Sequence, residues 1–476
     1  MVQTGLKNFF FIPLLIPFAF LSGAFVFNTT VLIICITTII YLIINHYLFQ
    51  KFKFLILFFI LFNLTIFVSS LLSEFDSNGS TIRSLSYIRN LFFLLGCTIF
   101  FSNKKNYKNL MFVIFFLCFF LILFSIFQSI FHINLRFELI NNNVRLSSLF
   151  EDELILGSQF LAFISVILFL NKFKKTSNSN LIDLVIIFLG LYLVIRSGER
   201  MVFFKYILLC FLYFVLIFRL SIKFKLLFSS IIIIAATTFI LLNKNTYDRF
   251  VTHFFIEKFY PKIETTQLDI NALKKITINE YLSKNQIYSN QIKILNNKID
   301  LSNTTTLEEK KVFIENFINN NIYKSNSYLS INKYIDAFLE TGHGVLFITA
   351  TNIFKDYPLF GVGIKQFRNA CNDYILIQEN YNLTESVCST HPHNYYLEVL
   401  SETGCFGMIF LTILITVIFF SNRKKLKNKL ILFIPIFIYL WPFASTGSFF
   451  TSLNSGFFWF LISLYIIDDR YNYINE

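Results

Sequence analysis

Apolar runs of about twenty residues recur along most of this 476-residue chain. That is the length a helix needs to cross ~30 Å of hydrocarbon. Twelve such runs stand out: 9–27, 31–49, 54–72, 85–101, 109–131, 154–170, 181–195, 202–218, 226–243, 404–420, 430–445 and 450–467. Hydrophobic residues make up 55% of the chain and charged residues 14%, more apolar surface than a water-soluble core hides. The expectation is therefore an all-α integral membrane protein of about twelve transmembrane helices. The first run is read as a retained anchor, because no small-residue cleavage site ends it and a second run follows at once.

Lysine sets the orientation. With twelve spans, every even-numbered connection carries it: Lys51 and Lys53, then Lys104, Lys105 and Lys108, then Lys172, Lys174 and Lys175, then Lys223 and Lys225, then Lys424, Lys425, Lys427 and Lys429. The short odd-numbered connections carry none. Positive-inside bias then puts both termini in the cytoplasm and the segment 244–392 outside, dividing the chain into 1–243, 244–392 and 393–476. Much of the net charge of +13 is accounted for as an orientation signal. No basic patch interleaved with aromatics points to a nucleic-acid partner.

The outer short connections hold arginine instead: Arg83, Arg136, Arg145, Arg196 and Arg200, with Arg89 just inside the fourth span. A guanidinium stays charged and grips a phosphate through two parallel donors. The competing reading is that these arginines snorkel or pair with Glu199, Glu151 and Asp152. Cysteine marks the same side: five lie in spans, and only Cys371 and Cys388 lie in the outer loop, with sixteen residues between them. A disulfide there would stabilise the segment leading into His391 and His393 by about 3 kcal/mol on the chain-entropy model.

The outer loop is too long for a connector, and loops of such length usually carry function. Its first part, 262–340, reads as short amphipathic helices, with Thr306 capping the one that carries Glu308 and Glu309. Helical spacing returns at 345–356 and ends at Pro358, Gly361 and Gly363. The loop is expected to cap a cavity between the spans. It ends in His393-Asn394, followed after nine residues by Gly404 and after two more by Gly407, which sets a titratable imidazole at a membrane surface. Taken alone, His393 reads more readily as a cap on the tenth span than as a base.

This His-Asn-Gly-Gly run resembles the signature of the O-antigen ligase and polymerase superfamily. The stretches "RLSSLFEDELILGSQ" (145–159), "SGER" (197–200) and "DYPLFGVGIKQF" (356–367) are similar to it as well. The resemblance implies a type-C glycosyltransferase-like fold, with a mainly helical periplasmic loop between helices 9 and 10, in the bacterial inner membrane. It implies transfer of a glycan from an undecaprenyl-pyrophosphate carrier to a hydroxyl of lipid A core (ligase) or of a lipid-linked glycan (polymerase), among membrane lipids. His393 would be the general base, and Asn394 would hold its ring or a sugar hydroxyl. His391 would be partner or spectator, and Gly404 and Gly407 would allow close helix packing.

Arg145, Arg200 and Arg89 would hold the pyrophosphate, with Glu199 orienting Arg200, and Arg196 and Arg83 in second rank. Where many relatives carry an arginine this chain has Thr341-Gly342-His343, so Arg368 or His343 would have to replace it. No cofactor and no metal is expected, since Glu151, Asp152 and Glu153 are consecutive and cannot all face one ion. Glu398 and Glu402 are set aside as residues within a helix. A transporter or lipid-sugar flippase is the competing class, weakened by a large loop after the ninth span that breaks a six-plus-six layout.

Overall fold

The computed structural model describes residues 11–133, 145–150, 155–170, 177–217, 230–231, 234–241, 244–248, 341–374, 388–421 and 426–470. Arg136, Glu151, Asp152, Glu153, Thr306, Glu308 and Glu309, and with them the expected amphipathic helices of the outer loop, lie outside this set. The chain divides into two compact units. One joins Met1–Tyr247 to Leu339–Glu476, and the other, Asp248–Phe338, lies outside the described residues but for Asp248.

The regular elements among the described residues of the first unit are helices. Its principal helices are α1 (Ile16–Leu21), α2 (Ala24–Ile44), α3 (Tyr47–Leu71), α4 (Ser77–Ser86), α5 (Arg89–Phe101), α6 (Lys104–Phe131), α7 (Leu156–Leu170), α8 (Ser177–Ser197), α9 (Arg200–Leu216), α10 (Gly342–Asp356), α11 (Tyr395–Ser421), α12 (Leu426–Tyr439) and α13 (Ser452–Arg470). Five segments are long and apolar enough to cross a membrane: α2, α3, α4 with α5, α6 and α11. Shorter apolar helices coincide with α7, α12 and α13. The expected first span is instead a single turn of 3-10 helix (Ile12–Leu15) followed by α1, which stops before Gly23 (φ 93).

Polar residues at the ends set the boundaries. Asp76 Oδ1 accepts from Gly79 N (2.9 Å) to start α4, Asn103 Oδ1 accepts from Lys105 N (2.9 Å) to start α6, and Thr341 Oγ1 accepts from Gly344 N (3.1 Å) to start α10. Each supplies an acceptor to an orphan N–H of a first turn. Packing is dominated by α3 against α11, α5 against α13 and α2 against α5. Large aromatics fill the core: Phe20 stacks on Phe27 at 4.5 Å, and buried Trp459 sits 4.9 Å from Phe59 while its indole N–H donates to Tyr87 OH at 3.1 Å. A smaller apolar cluster under α10, built on Leu346, Ile353, Val362, Phe367 and Cys371, anchors the loop that follows.

That loop is locked to α11 through a break in the helix. Gly404 has φ 65 and ψ −168 inside α11, an extended positive-φ conformation all but reserved for glycine, which costs a residue with a β-carbon about 1–3 kcal/mol. A β-carbon there would also overlap the Leu359 carbonyl and lie 2.5 Å from Phe360 N. The opened backbone trades its helical bonds for bonds to the loop. Val362 N and Gly363 N donate to Ser401 O and Glu402 O (3.0 and 2.9 Å), while Cys405 N donates to Pro358 O (2.8 Å). Every freed group named here finds a partner, as an apolar setting requires. Gly404 thus admits a turn of loop, not the neighbouring helix expected from sequence. At Gly407 an added β-carbon would meet only the side chain of Thr403 on its own helix.

Candidate active site

A cavity of about 1070 Å³ opens among these helices. Its lining brings together Arg83 on α4, Arg89 at the head of α5, Arg145, Glu199, Lys205 on α9, His343 in the first turn of α10, Lys365 and Arg368 from the following loop, and His391 and His393 before α11. Four arginines, two lysines and three imidazoles therefore share one space, which residues 445–447 and 450–455 also line.

The imidazoles are grouped: the ring of His393 lies 4.1 Å from that of His391 and 4.9 Å from that of His343, centre to centre. His393 has φ 56, an uncommon and strained conformation for histidine. Two bonds to one residue hold it, because its carbonyl accepts from Thr446 N (2.8 Å) and its Nδ1 lies 3.2 Å from Thr446 O. A carbonyl oxygen only accepts, so Nδ1 carries the proton. The basic nitrogen of the neutral ring is then Nε2, with the Ser389 hydroxyl 3.3 Å away. His391 uses the same carbonyl with the opposite tautomer: Nε2–H donates to Thr446 O (3.3 Å) and Nδ1 accepts from Thr390 Oγ1 (2.9 Å). Burial lowers both pKa values, that of His391 to about 4, where the neighbouring His393 adds to the effect. Both rings are neutral at neutral pH.

The cations are fixed by polar partners from elsewhere in the chain. Arg89 Nη2 donates to Ser452 Oγ (2.6 Å), Arg145 Nε donates to Ser197 O (2.5 Å), and Lys365 Nζ donates to Ser448 Oγ. Arg83 lies 4.0 Å from Asp76, both about half exposed. Burial lowers the pKa of Lys365, and Glu398 and Glu402 oppose that shift. Glu199 caps α7, its Oε1 accepting from Gly157 N (2.7 Å) and Ser158 N (3.3 Å). Burial raises its pKa and Arg145 lowers it, so Glu199 works with Arg145 where the sequence suggested Arg200. Arg200 heads α9 and is not among the lining residues.

The O-antigen ligase family model matches residues 185–412. Through that stretch, just under half of its length, the chain is similar to the O-antigen ligase family. No curated protein matches it. The O-antigen ligase stretch contains His343, Lys365, Arg368, His391, His393 and the helix break at Gly404, whereas Arg83, Arg89, Arg145 and the carbonyl of Thr446 come from outside it. With several helices long and apolar enough to cross a membrane, this is a multi-pass membrane protein.

Asn394 takes a place other than the one expected. Its side chain is buried away from the cavity lining, with Oδ1 accepting from Tyr396 N (3.0 Å) and Leu397 N (3.2 Å) and Nδ2 donating to Pro442 O (2.8 Å). It caps α11 and ties it to the segment after α12. Cys371 and Cys388 are joined in a disulfide five residues before His393, with a Cα–Cα distance of 5.8 Å.

Sequence reading passed over Lys365 and the two acids of α11. Glu398 accepts from Ser448 Oγ (2.5 Å) and Phe449 N (2.6 Å), and Glu402 accepts from Lys365 N (2.7 Å) and Phe367 N (3.2 Å), both carboxylates being fully buried. The signal was available: two acids one turn apart at the head of an apolar helix share a face, and ionisable groups in such helices mark function more often than packing.

Proposed function

We propose that this protein transfers a glycan from undecaprenyl pyrophosphate to a hydroxyl of lipid A core, at the periplasmic face of the bacterial inner membrane. The observation that carries this reading is the fixed tautomer of His393, which leaves Nε2 as the base in a cavity whose lining includes four arginines and two lysines. In the proposed step the acceptor hydroxyl gives its proton to Nε2 of His393 while its oxygen bonds to the anomeric carbon. The bond from that carbon to the phosphate oxygen breaks, and its electron pair leaves with the pyrophosphate. Arg89, Arg145 and Arg368 stabilise the charge that develops on the leaving group, the contribution that dominates when the leaving group is already good. A single displacement inverts the anomeric configuration, and the reaction is proposed to need no metal.

The same reading assigns about twelve apolar segments, the first of them short and broken off before Gly23, with cytoplasmic termini and a periplasmic segment 244–392 between the ninth and tenth. The test is transfer by purified protein in detergent, from a glycan on undecaprenyl pyrophosphate to lipid A core. His393→Ala is expected to lower the rate by about 10²–10⁴-fold, the usual contribution of a general base. Longer lipid-linked glycan alone would make the protein a polymerase. No transfer with intact donor, or full activity of the variant, would sink the proposal, and chelator inhibition reversed by magnesium or manganese would overturn metal independence.

A further inference from the structure

Two residues that line the cavity, His393 and Lys365, share an unusual backbone. Four non-glycine residues among those described have positive φ, and these two (56° and 62°) are the pair that reaches the cavity. Glycine would occupy position 365 without strain. A lysine stands there all the same, and the surrounding structure holds it: its N–H donates to Glu402 Oε2, Ser80 Oγ donates to Ile364 O (3.0 Å), and Gln366 Nε2 donates to Asp76 O (2.9 Å).

The side chain is aimed as firmly as the backbone. Lys365 Nζ donates to Ser448 Oγ, whose own proton goes to the buried carboxylate of Glu398. An ammonium carries three donors, and Ser448 is the one side-chain acceptor found for it among the described residues. Thr446, which orients His393, and Ser452, which holds Arg89, belong to the same short segment as Ser448. One stretch of seven residues thereby sets the base, Lys365 and Arg89 in fixed relation. Arg368 and Arg83 are close enough to Lys365 to repel its charge, and Lys365 and Arg368 act on His391 in the same way. Like charges gathered at one wall of a cavity raise the local affinity for an anion.

We propose that Lys365 is a phosphate-binding residue of this site, holding an oxygen of the lipid-linked pyrophosphate beside His393, with Glu398 and Ser448 as the residues that position it. That the anion is a pyrophosphate rests on the glycan transfer proposed above. The requirement for a cation at position 365 does not.

The experiment measures binding of inorganic pyrophosphate to the purified full chain, and separately the transfer reaction. Lys365→Gly suits the strained backbone and removes the ammonium. Lys365→Gln keeps a donor for Ser448 without the charge, and serves if the glycine variant does not fold. Each is expected to weaken pyrophosphate binding by about tenfold or more, the worth of one charged hydrogen bond, with Lys365→Arg restoring most of it. Adding His343→Arg to Lys365→Gly, which returns a cation to the same cavity, is expected to recover part of the loss. In transfer, the KM for donor rises and that for acceptor holds. Unchanged binding in both neutral variants, or no pyrophosphate binding by the wild type, overturns the proposal. Lys365-dependent binding without glycan transfer would instead leave Lys365 standing and remove the proposed reaction.

Discussion

Helices α6 and α11 are nearly equal in length, 28 and 27 residues, and both are strongly apolar, yet they are built for different ends. α6 runs unbroken from its Asn103 cap, and Phe116, Phe120, Phe124, Phe127 and Phe131 stack along it with centroid spacings of 6.5, 6.2, 5.9 and 4.7 Å. α11 opens at Gly404, gives four backbone groups to the loop 357–363, and buries two carboxylates that hold other chain segments. A helix that only packs is satisfied by its own hydrogen bonds. One that organises a site gives some of them up, and then depends on distant partners to replace them.

Three measurements press on that contrast. The largest effect is expected from Gly404→Ala, which combines a positive-φ backbone with overlap against a loop held by hydrogen bonds. A loss of about 3 kcal/mol or more should appear as a lower unfolding midpoint. A variant of wild-type stability would mean that the break in α11 is not needed.

Next comes pH. Burial lowers the pKa of His393, and as a base it must be neutral. Activity should therefore be full at neutral pH and fall tenfold per unit below the folded pKa, with an acid limb centred below the ordinary imidazole value of about 6.5. Stability follows the same sign: the contribution of the neutral rings is complete above about 6.5 and is lost as pH falls, for His391 over the window down to about 4. The pH dependence of kcat/KM and of the unfolding midpoint checks both, and an acid limb at or above the ordinary value would contradict the buried, neutral assignment.

The smallest effect belongs to α6. Phe116 is 51% exposed on an outer face, so Phe116→Leu should change stability by no more than about 0.5 kcal/mol. A larger loss would show that the outer faces of the plain helices carry structural weight of their own.

Legibility in the sequence follows the same division. The cores of α3, α5, α6, α7, α8 and α9 fall where the apolar runs do, because a helix end or an apolar stretch is a local property. The first run misled because apolarity alone does not show where a backbone breaks, and Gly23 splits that stretch from α2. At the site, His393, Arg89, Arg145, Arg368 and His343 were visible as residue types on one side of the expected membrane, and the structure gathers them in one cavity. Asn394 was visible too, but its amide caps a helix.

By itself, then, the sequence determined a chain of apolar helices with arginines gathered in the short connections opposite the lysines, Cys371 and Cys388 as a candidate pair, and a histidine at the head of α11. Periodicity, composition and spacing are written residue by residue. Only the tertiary structure decided which nitrogen of His393 carries the proton, that Lys365 lines the same cavity, and that Glu398 and Glu402 brace other chain segments. Those outcomes depend on bonds between residues some 35 to 83 positions apart. Such a bond exists only once the intervening helices have packed and brought donor to acceptor.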